Sequence, residues 1–271
     1  MKKLLLVIIG VLSLGLLVSG CGQSTAPAKE ASKTVLKVGA TAVPHAEILA
    51  VVKPMLAKEG IDLQIIEMND YVTPNIAVAE KELDANFFQH IPYLNKFSAE
   101  RNLPLTYTAA VHIEPMGIYS KKIKNLNELT TGAKVAIPND PTNGGRALAL
   151  LDKAGIIKLK EGVGVNATIN DIVTNTKNIQ ISELEAPQLP RVLDDVVIAV
   201  INTNYALEAK LNPTKDALFL EQKDSPYVNV LAIRKGDETR PEIQKLTKAL
   251  TSDEVKKFIT EKYQGAIVPA F

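Results

Sequence analysis

The amino-acid sequence predicts an α/β fold: a mostly parallel, twisted sheet with helices on both faces, divided over two lobes. Three observations carry this expectation. Strand-like and helix-like segments alternate from Val35 onward at the spacing of βαβ units. Residues 196–201 are an unbroken apolar run, as a strand covered on both faces requires. The alternation starts afresh after Glu114-Pro115-Met116-Gly117, and 271 residues at 46% hydrophobic content are enough for two cores.

In order, residues 35–40 are a short strand with β-branched content. Pro44 suits the first turn of a helix running through Ile48, Val52 and Leu56; Pro54 is expected to kink its end and Gly60 to stop it. Residues 61–68 alternate in part and form the second strand. Pro74 leads a helix through Ile76 and Val78, and residues 83–88 give a third strand. A helix opens at Gln89-His90 and ends near Asn102, followed by a strand over residues 105–113. In the second series, residues 118–120 are a short strand and Asn125 caps a small helix. A buried strand over residues 133–137 then runs into a helix with Asp140 as N-cap and Pro141 in its first turn, ended by Gly155. Asn170-Asp171-Ile172 starts a short helix, residues 179–184 alternate as a strand, and residues 186–191 are a proline-bounded turn of helix. The strand ending at Ile201 passes into a helix capped by Asn202. After the apolar run 228–233, two amphipathic helices carry Ile243, Leu246, Leu250 and then Val255, Phe258, Ile259.

The N-terminus stands apart from the fold. Lys2 and Lys3, an apolar run over residues 4–18 and Ser19-Gly20-Cys21 make a secretory signal, too short and glycine-broken for a good membrane-spanning helix. LVSG-C resembles a bacterial lipobox, which implies cleavage before Cys21 and lipid attachment to it. The protein is then exported and held on the membrane by lipid. The alternative is a plain signal peptide with an inert cysteine. Residues 21–33 are small, polar and aperiodic, and read as a tether. Cys21 is the only cysteine, which excludes disulfides, a cysteine nucleophile and a cysteine zinc site. Loss of residues 1–20 leaves 29 basic against 30 acidic side chains, a balance that offers no nucleic-acid surface.

Ligands of open α/β sheets sit beyond the carboxyl ends of the strands. Several strand ends here are polar or aromatic: Thr41 to His45, Phe87-Phe88-Gln89-His90, Asn143 with Arg146, and Asn202 with Asn204. The start of the helix after Pro138 offers unpaired N–H groups suited to an anion, Gly144 and Gly145 let a guest approach the backbone, and Arg146 adds a planar fork for a carboxylate. The set fits a zwitterion with an apolar tail. Arg146 takes the carboxylate, Asn204 and Glu114 accept from the ammonium group, and Phe87, Phe88, Tyr93 and Tyr71 pack on the tail, where a thioether sits well against ring edges. Each residue also has a plain structural reading. Of the adjacent Phe87 and Phe88 only one can face a cleft, His90 and Asn202 are good helix caps, and Tyr71 can be a loop anchor. His45, His90 and His112 with Glu114 are the available zinc ligands, but their spacing is poor apart from His112 and Glu114, two apart on one strand face, and no metal or other cofactor is assigned. No serine sits in a nucleophile elbow, and Asp194-Asp195 reads as a solvated turn, so the chain is not read as an enzyme.

The segments ANFFQHIPYL, HIEPMGIYSKKIKNLNEL, VAIPNDPTNGGRALALL, ELEAPQLPR, AVINTNYA and SPYVNVLAIR span nearly all of the chain after the tether. Together they resemble the NlpA/MetQ family of lipoproteins, the methionine-binding components of ABC importers. The resemblance implies a periplasmic-binding-protein-like fold of two α/β lobes joined by two crossover strands, near residues 116–119 and 227–230. It implies residues 34–115 plus 228–271 as the first lobe and 116–227 as the second. It also implies that Arg146 holds the ligand carboxylate, that Asn204 and Asn229 contact the amino-acid head, and that Phe88, His90, His112 and Glu114 line the site. The implied partners are methionine, a membrane permease with its ATPase, and the bilayer through acylated Cys21. L-methionine, D-methionine and a methionine dipeptide all stay open as ligands. So do another apolar amino acid and a surface adhesin with a vestigial cleft.

Overall fold

The structure is a computed structural model that describes residues 33–222 and 225–271. The signal segment, Cys21 and the tether as far as residue 32 lie outside the described residues. Among the described residues no helix is long and apolar enough to cross a membrane.

The chain opens with β1 (Thr34–Ala40), a turn around Pro44, α1 (Glu47–Lys58), β2 (Ile61–Glu67), α2 (Thr73–Ala79), β3 (Ala85–His90), α3 (Ile91–Arg101) and β4 (Leu105–Ile113). It then enters a second region with β5 (Gly117–Tyr119), β6 (Lys134–Pro138), α4 (Pro141–Lys153), β7 (Lys158–Leu159), β8 (Ile172–Thr174), β9 (Gln180–Leu184), β10 (Ile198–Ile201), α5 (Thr203–Glu208), α6 (Pro213–Asp216) and β11 (Phe219–Leu220). It returns as β12 (Val228–Arg234) and closes with α7 (Pro241–Leu250), α8 (Asp253–Tyr263) and β13 (Val268–Pro269).

Two main sheets result, in the orders β13-β4-β12-β3-β1-β2 and β11-β5-β10-β6-β9. Parallel pairing is confined to β2-β1-β3 and to β10-β6-β9; β12 runs antiparallel to both β3 and β4, and β5 antiparallel to β10. Both sheets are therefore mixed rather than mostly parallel. The reason is the two passages between them: a strand that returns from the other sheet arrives from the opposite end. The first core packs Leu36, Val38, Leu49 and Phe87 against Ile243, Leu246, Val255 and Ile259 of the C-terminal helices. The second packs Ile118, Val135 and Ile137 against Leu148 and Leu151 of α4 and Ile198 and Val200 of β10. All four residues of β10 are buried, as their unbroken apolar character requires.

α1 stops just before Gly60, as expected, and tolerates Pro54 because the lost backbone bond falls at the solvent-exposed Ala50. Two local expectations shift. β3 continues through Gln89 and His90 because Asn229 and Val230 of β12 pair with them. The segment at Asn170 makes one tight turn of helix and passes directly into β8, which pairs with β7.

Candidate functional site

The site starts at the first turn of α4. The Asp140 carboxylate caps the helix, accepting from the backbone N–H of Asn143 at 2.9 Å, and also accepts from Asn143 Nδ2 at 3.0 Å. The helix start thus holds its own anion, and it is not open to a guest as the sequence suggested. Nor do the glycines serve a guest. A Cβ on Gly144 would meet the Pro138 carbonyl oxygen at 2.9 Å, and one on Gly145 would meet that of Val165 at 2.2 Å, so both admit neighbouring backbone.

A carboxylate can only accept, so it fixes the polarity of everything behind it. Asn143 turns Nδ2 to Asp140, and its Oδ1 accepts from His90 Nε2 at 3.1 Å and from Asn202 Nδ2 at 2.8 Å. The remaining Oδ1 of Asn202 is buried and without a partner. Asn202 therefore makes no side-chain cap for α5, contrary to expectation. His90 does cap α3, its Nδ1 accepting from the Tyr93 N–H at 3.1 Å, and its other nitrogen spans to Asn143. The two roles proposed for it are compatible.

These groups line a narrow cavity, with about 20 Å³ of room for the centre of a water-sized sphere. Tyr71, Phe88, Gln89, His90, Tyr93 and Glu114 line one side; Asn143, Arg146, Asn202, Thr203 and Asn204 line the other, with Asn229 reaching in from β12. Phe88 faces the cavity while Phe87 is fully buried in the first core, the division that strand alternation demands. Tyr71 stands 5.7 Å from the Phe88 ring and 5.8 Å from that of Tyr93, making an aromatic wall. The Tyr71 hydroxyl donates to Asn204 Oδ1 at 2.6 Å, which leaves Asn204 Nδ2 as a buried donor without a partner. Asn204 Oδ1 keeps one lone pair for an ammonium group, as the sequence suggested, while its Nδ2 adds a donor. The free acceptor on this side is Asn202 Oδ1, and the free donor is Asn204 Nδ2.

Arg146 is 4% exposed and sits in the cleft wall. Its Nε donates to Glu221 Oε1 at 3.0 Å, and Nη2 donates to Glu221 Oε2 and, at 2.8 Å, to the Glu114 carbonyl oxygen. The guanidinium lies 4.0 Å over the Tyr227 ring. One edge of the fork is thus occupied by a protein carboxylate, a partner the sequence reading missed. Glu221 also bonds Met116, its N–H donating to the Met116 carbonyl oxygen at 2.8 Å. The arginine is therefore seated on both passages between the sheets.

Glu114 is held from behind. His112 Nε2 donates to its Oε1 at 2.7 Å, and His45 Nε2 stands 3.2 Å from the same oxygen. His112, expected to line the site, does not. It is fully buried behind Glu114, with its ring centroid 5.4 Å from that of Phe87 in the first core. His45, His112 and Glu114 bring their ligand atoms within 4.8 Å of one another, whereas His90 stands apart on Asn143. Ligands around a tetrahedral zinc lie about 3.3 Å from each other. The 2.7 Å separation of His112 and Glu114 is that of a hydrogen bond, so the cluster is read as hydrogen-bonded.

Burial holds all three histidines neutral: His45 is lowered to about 4, partly offset by Glu114, His112 to about 3, and His90 to about 3, with the Arg146 charge adding to burial there. Burial pushes Glu114 up, against the pull of His45 and Arg146. Because the unfolded histidines bind protons near pH 6.5 and the folded ones do not, the neutral histidines contribute full stability above that pH. The contribution is lost as pH falls from about 6.5 toward 4. Glu114 acts in the opposite sense at the acid end. The expected result is a urea midpoint that falls steadily across this window; a midpoint unchanged between pH 7 and 5 would contradict the burial of neutral imidazoles.

With the geometry in place, the chain can be set beside known proteins. Residues 36–271 match the NlpA lipoprotein family. The chain belongs to that family. Among NlpA relatives, the D-methionine-binding lipoprotein MetQ of Salmonella typhimurium is 45% identical over 264 residues, covering 96% of this chain and 95% of the relative. A nutrient-binding protein from Burkholderia cenocepacia, solved bound to methionine, is 50% identical with a TM-score of 0.84, covering 87% of this chain and 100% of that one. A crystal structure of the methionine-binding protein MetQ is 44% identical with a TM-score of 0.85, covering 88% and 98%. The NlpA family is one of lipoproteins, so the chain is of the exported, lipid-anchored kind.

Proposed function

We propose that this NlpA lipoprotein captures methionine in the cavity between its two sheets and delivers it to an ABC importer. The observation that carries the reading is the division of one small cavity into two ends. Arg146, Glu114, Asn229 and the free atoms of Asn202 and Asn204 make a charged end, and Phe88, Tyr71 and Tyr93 an aromatic one. Arg146 and Asn204 Nδ2 take the carboxylate, Glu114 and Asn202 Oδ1 take the ammonium group, and the rings take the thioether tail. Asn143 and His90 hold these groups in register. Residues 34–115 with 228–271 form one lobe and 116–227 the other, and their closure buries the ligand. Cys21 carries the lipid, and the closed shape is what the permease and its ATPase receive. The methionine-bound relative supports the choice of ligand.

A thermal-shift titration tests this. L-methionine at 100 times its Kd should raise the midpoint by about 5–10 °C, with D-methionine and methionine dipeptides as comparison ligands. Absence of any shift with methionine and all of its derivatives would remove the substrate assignment.

A further inference from the structure

His45 does not line the cavity, and its side chain is fully buried, yet it touches two groups that do. Its Nε2 lies 3.1 Å from Asn229 Oδ1 and 3.2 Å from Glu114 Oε1, while its Nδ1 lies 2.6 Å from the Thr41 hydroxyl. An ionised carboxylate only accepts, so Nε2 carries the hydrogen and Nδ1 accepts from Thr41. His112 fits the same assignment. Its Nδ1 is buried without a partner, which a bare lone pair tolerates better than an N–H, so its hydrogen is on Nε2, facing Glu114.

We propose that His45 is a positioning residue that writes the polarity of the ligand head: its single Nε2–H makes Glu114 an acceptor for an ammonium group and turns Asn229 so that its amide donates toward a carboxylate. The assignment rests on the methionine-binding reading and deepens it. Asn229 has no polarity of its own, since its oxygen and nitrogen exchange places by a rotation. With Oδ1 held on His45, Nδ2 is the atom it offers the cavity. Glu114 likewise keeps its acceptor character only while polar hydrogens stand behind it: the His112 Nε2–H bonds it directly, and the His45 Nε2 lies 3.2 Å from the same oxygen. The Phe87 ring, with its centroid 4.7 Å from that of His45 and 5.4 Å from that of His112, walls both imidazoles off from competing solvent. The result is a site that demands a free α-ammonium group, not merely an apolar acid of the right size.

The test compares L-methionine with its α-hydroxy analogue, 2-hydroxy-4-(methylthio)butanoate, by calorimetric titration of the wild-type protein, His45→Leu and His45→Gln. The wild type should strongly prefer methionine. His45→Leu should lose on the order of 10- to 100-fold in affinity for methionine and much less for the hydroxy acid, so that the preference narrows. His45→Gln, whose amide nitrogen reaches the place of Nε2, should restore most of the preference. An equal loss for both ligands in His45→Leu, or an unchanged ratio, overturns the proposal. A wild type that binds neither ligand overturns the methionine reading itself. Nitrogen-15 spectra of histidine-labelled wild-type protein need no variant: His45 and His112 with the hydrogen on Nε2 support the assignment, and a hydrogen on His45 Nδ1 overturns it.

Discussion

Arg146→Ala should abolish measurable methionine binding and destabilise the protein by about 3–5 kcal/mol. Two separate losses combine. The ligand carboxylate loses its charged partner inside a cavity that excludes most water, where a charge-assisted bond is worth far more than at a surface. Glu221, only about a tenth exposed, loses the guanidinium that neutralises it and is left as an unpaired buried charge. The two losses can be separated. Arg146→Met combined with Glu221→Leu removes both charges and fills the space, which should return most of the stability, because a buried pair replaced by packed apolar groups is often neutral. Binding should stay lost in the double variant. Urea unfolding followed by calorimetric titration reads both quantities. A single variant that still binds methionine within a few-fold of wild type would take Arg146 out of the site.

Phe87→Ala should cost about 3–5 kcal/mol of stability, the range for emptying a fully buried aromatic position. Its ring fills the space between Leu36, Val38 and Leu49 on one side and the two imidazoles behind Glu114 on the other. The hole would admit water to those imidazoles, so methionine affinity should fall as well. Phe88→Ala, one residue on, should carry proportionately more of its effect into binding, since that ring belongs to the cavity wall with Tyr71 and Tyr93. Unfolding midpoints and affinities measured side by side would show the contrast. Equal stability losses with equal binding losses would mean that the strand does not divide its two faces as described.

Much of the fold could be read in advance because its signals are local. The apolar run at residues 196–201, the Asp140-Pro141 helix start and the spacing of Ile243, Leu246 and Leu250 each carry their structure within a few residues. What could not be read depends on partners far along the chain. β3 ends two residues later than its composition suggests because β12, some 140 residues on, supplies the pairing. The same holds in the site. Ten of the side chains expected to contact a ligand, Tyr71, Phe88, His90, Tyr93, Glu114, Asn143, Arg146, Asn202, Asn204 and Asn229, do line the cavity. Six of these, Phe88, His90, Asn143, Arg146, Asn202 and Asn204, stand at strand ends whose polar or aromatic character is visible in sequence. His112 was misplaced because a strand's alternation does not say which face looks into the cleft. His45 is legible only as a polar strand end and a candidate zinc ligand, and Glu221 carries no local signal at all; neither lines the cavity. Their signal is a distance to Glu114 or Arg146, which only the folded chain contains.

The position of β12 has a consequence for how the chain is made. It fills the gap between β3 and β4, strands synthesised more than a hundred residues before it. Until residue 234 has emerged, those two strands have open edges facing each other and half of the first core has nothing to close on. The inserted region from β5 to β11 carries all the strands of its own sheet and is free to fold ahead of the halves that flank it. A chain cut short before residue 228 is therefore expected to leave β3 and β4 unjoined and the first sheet unassembled.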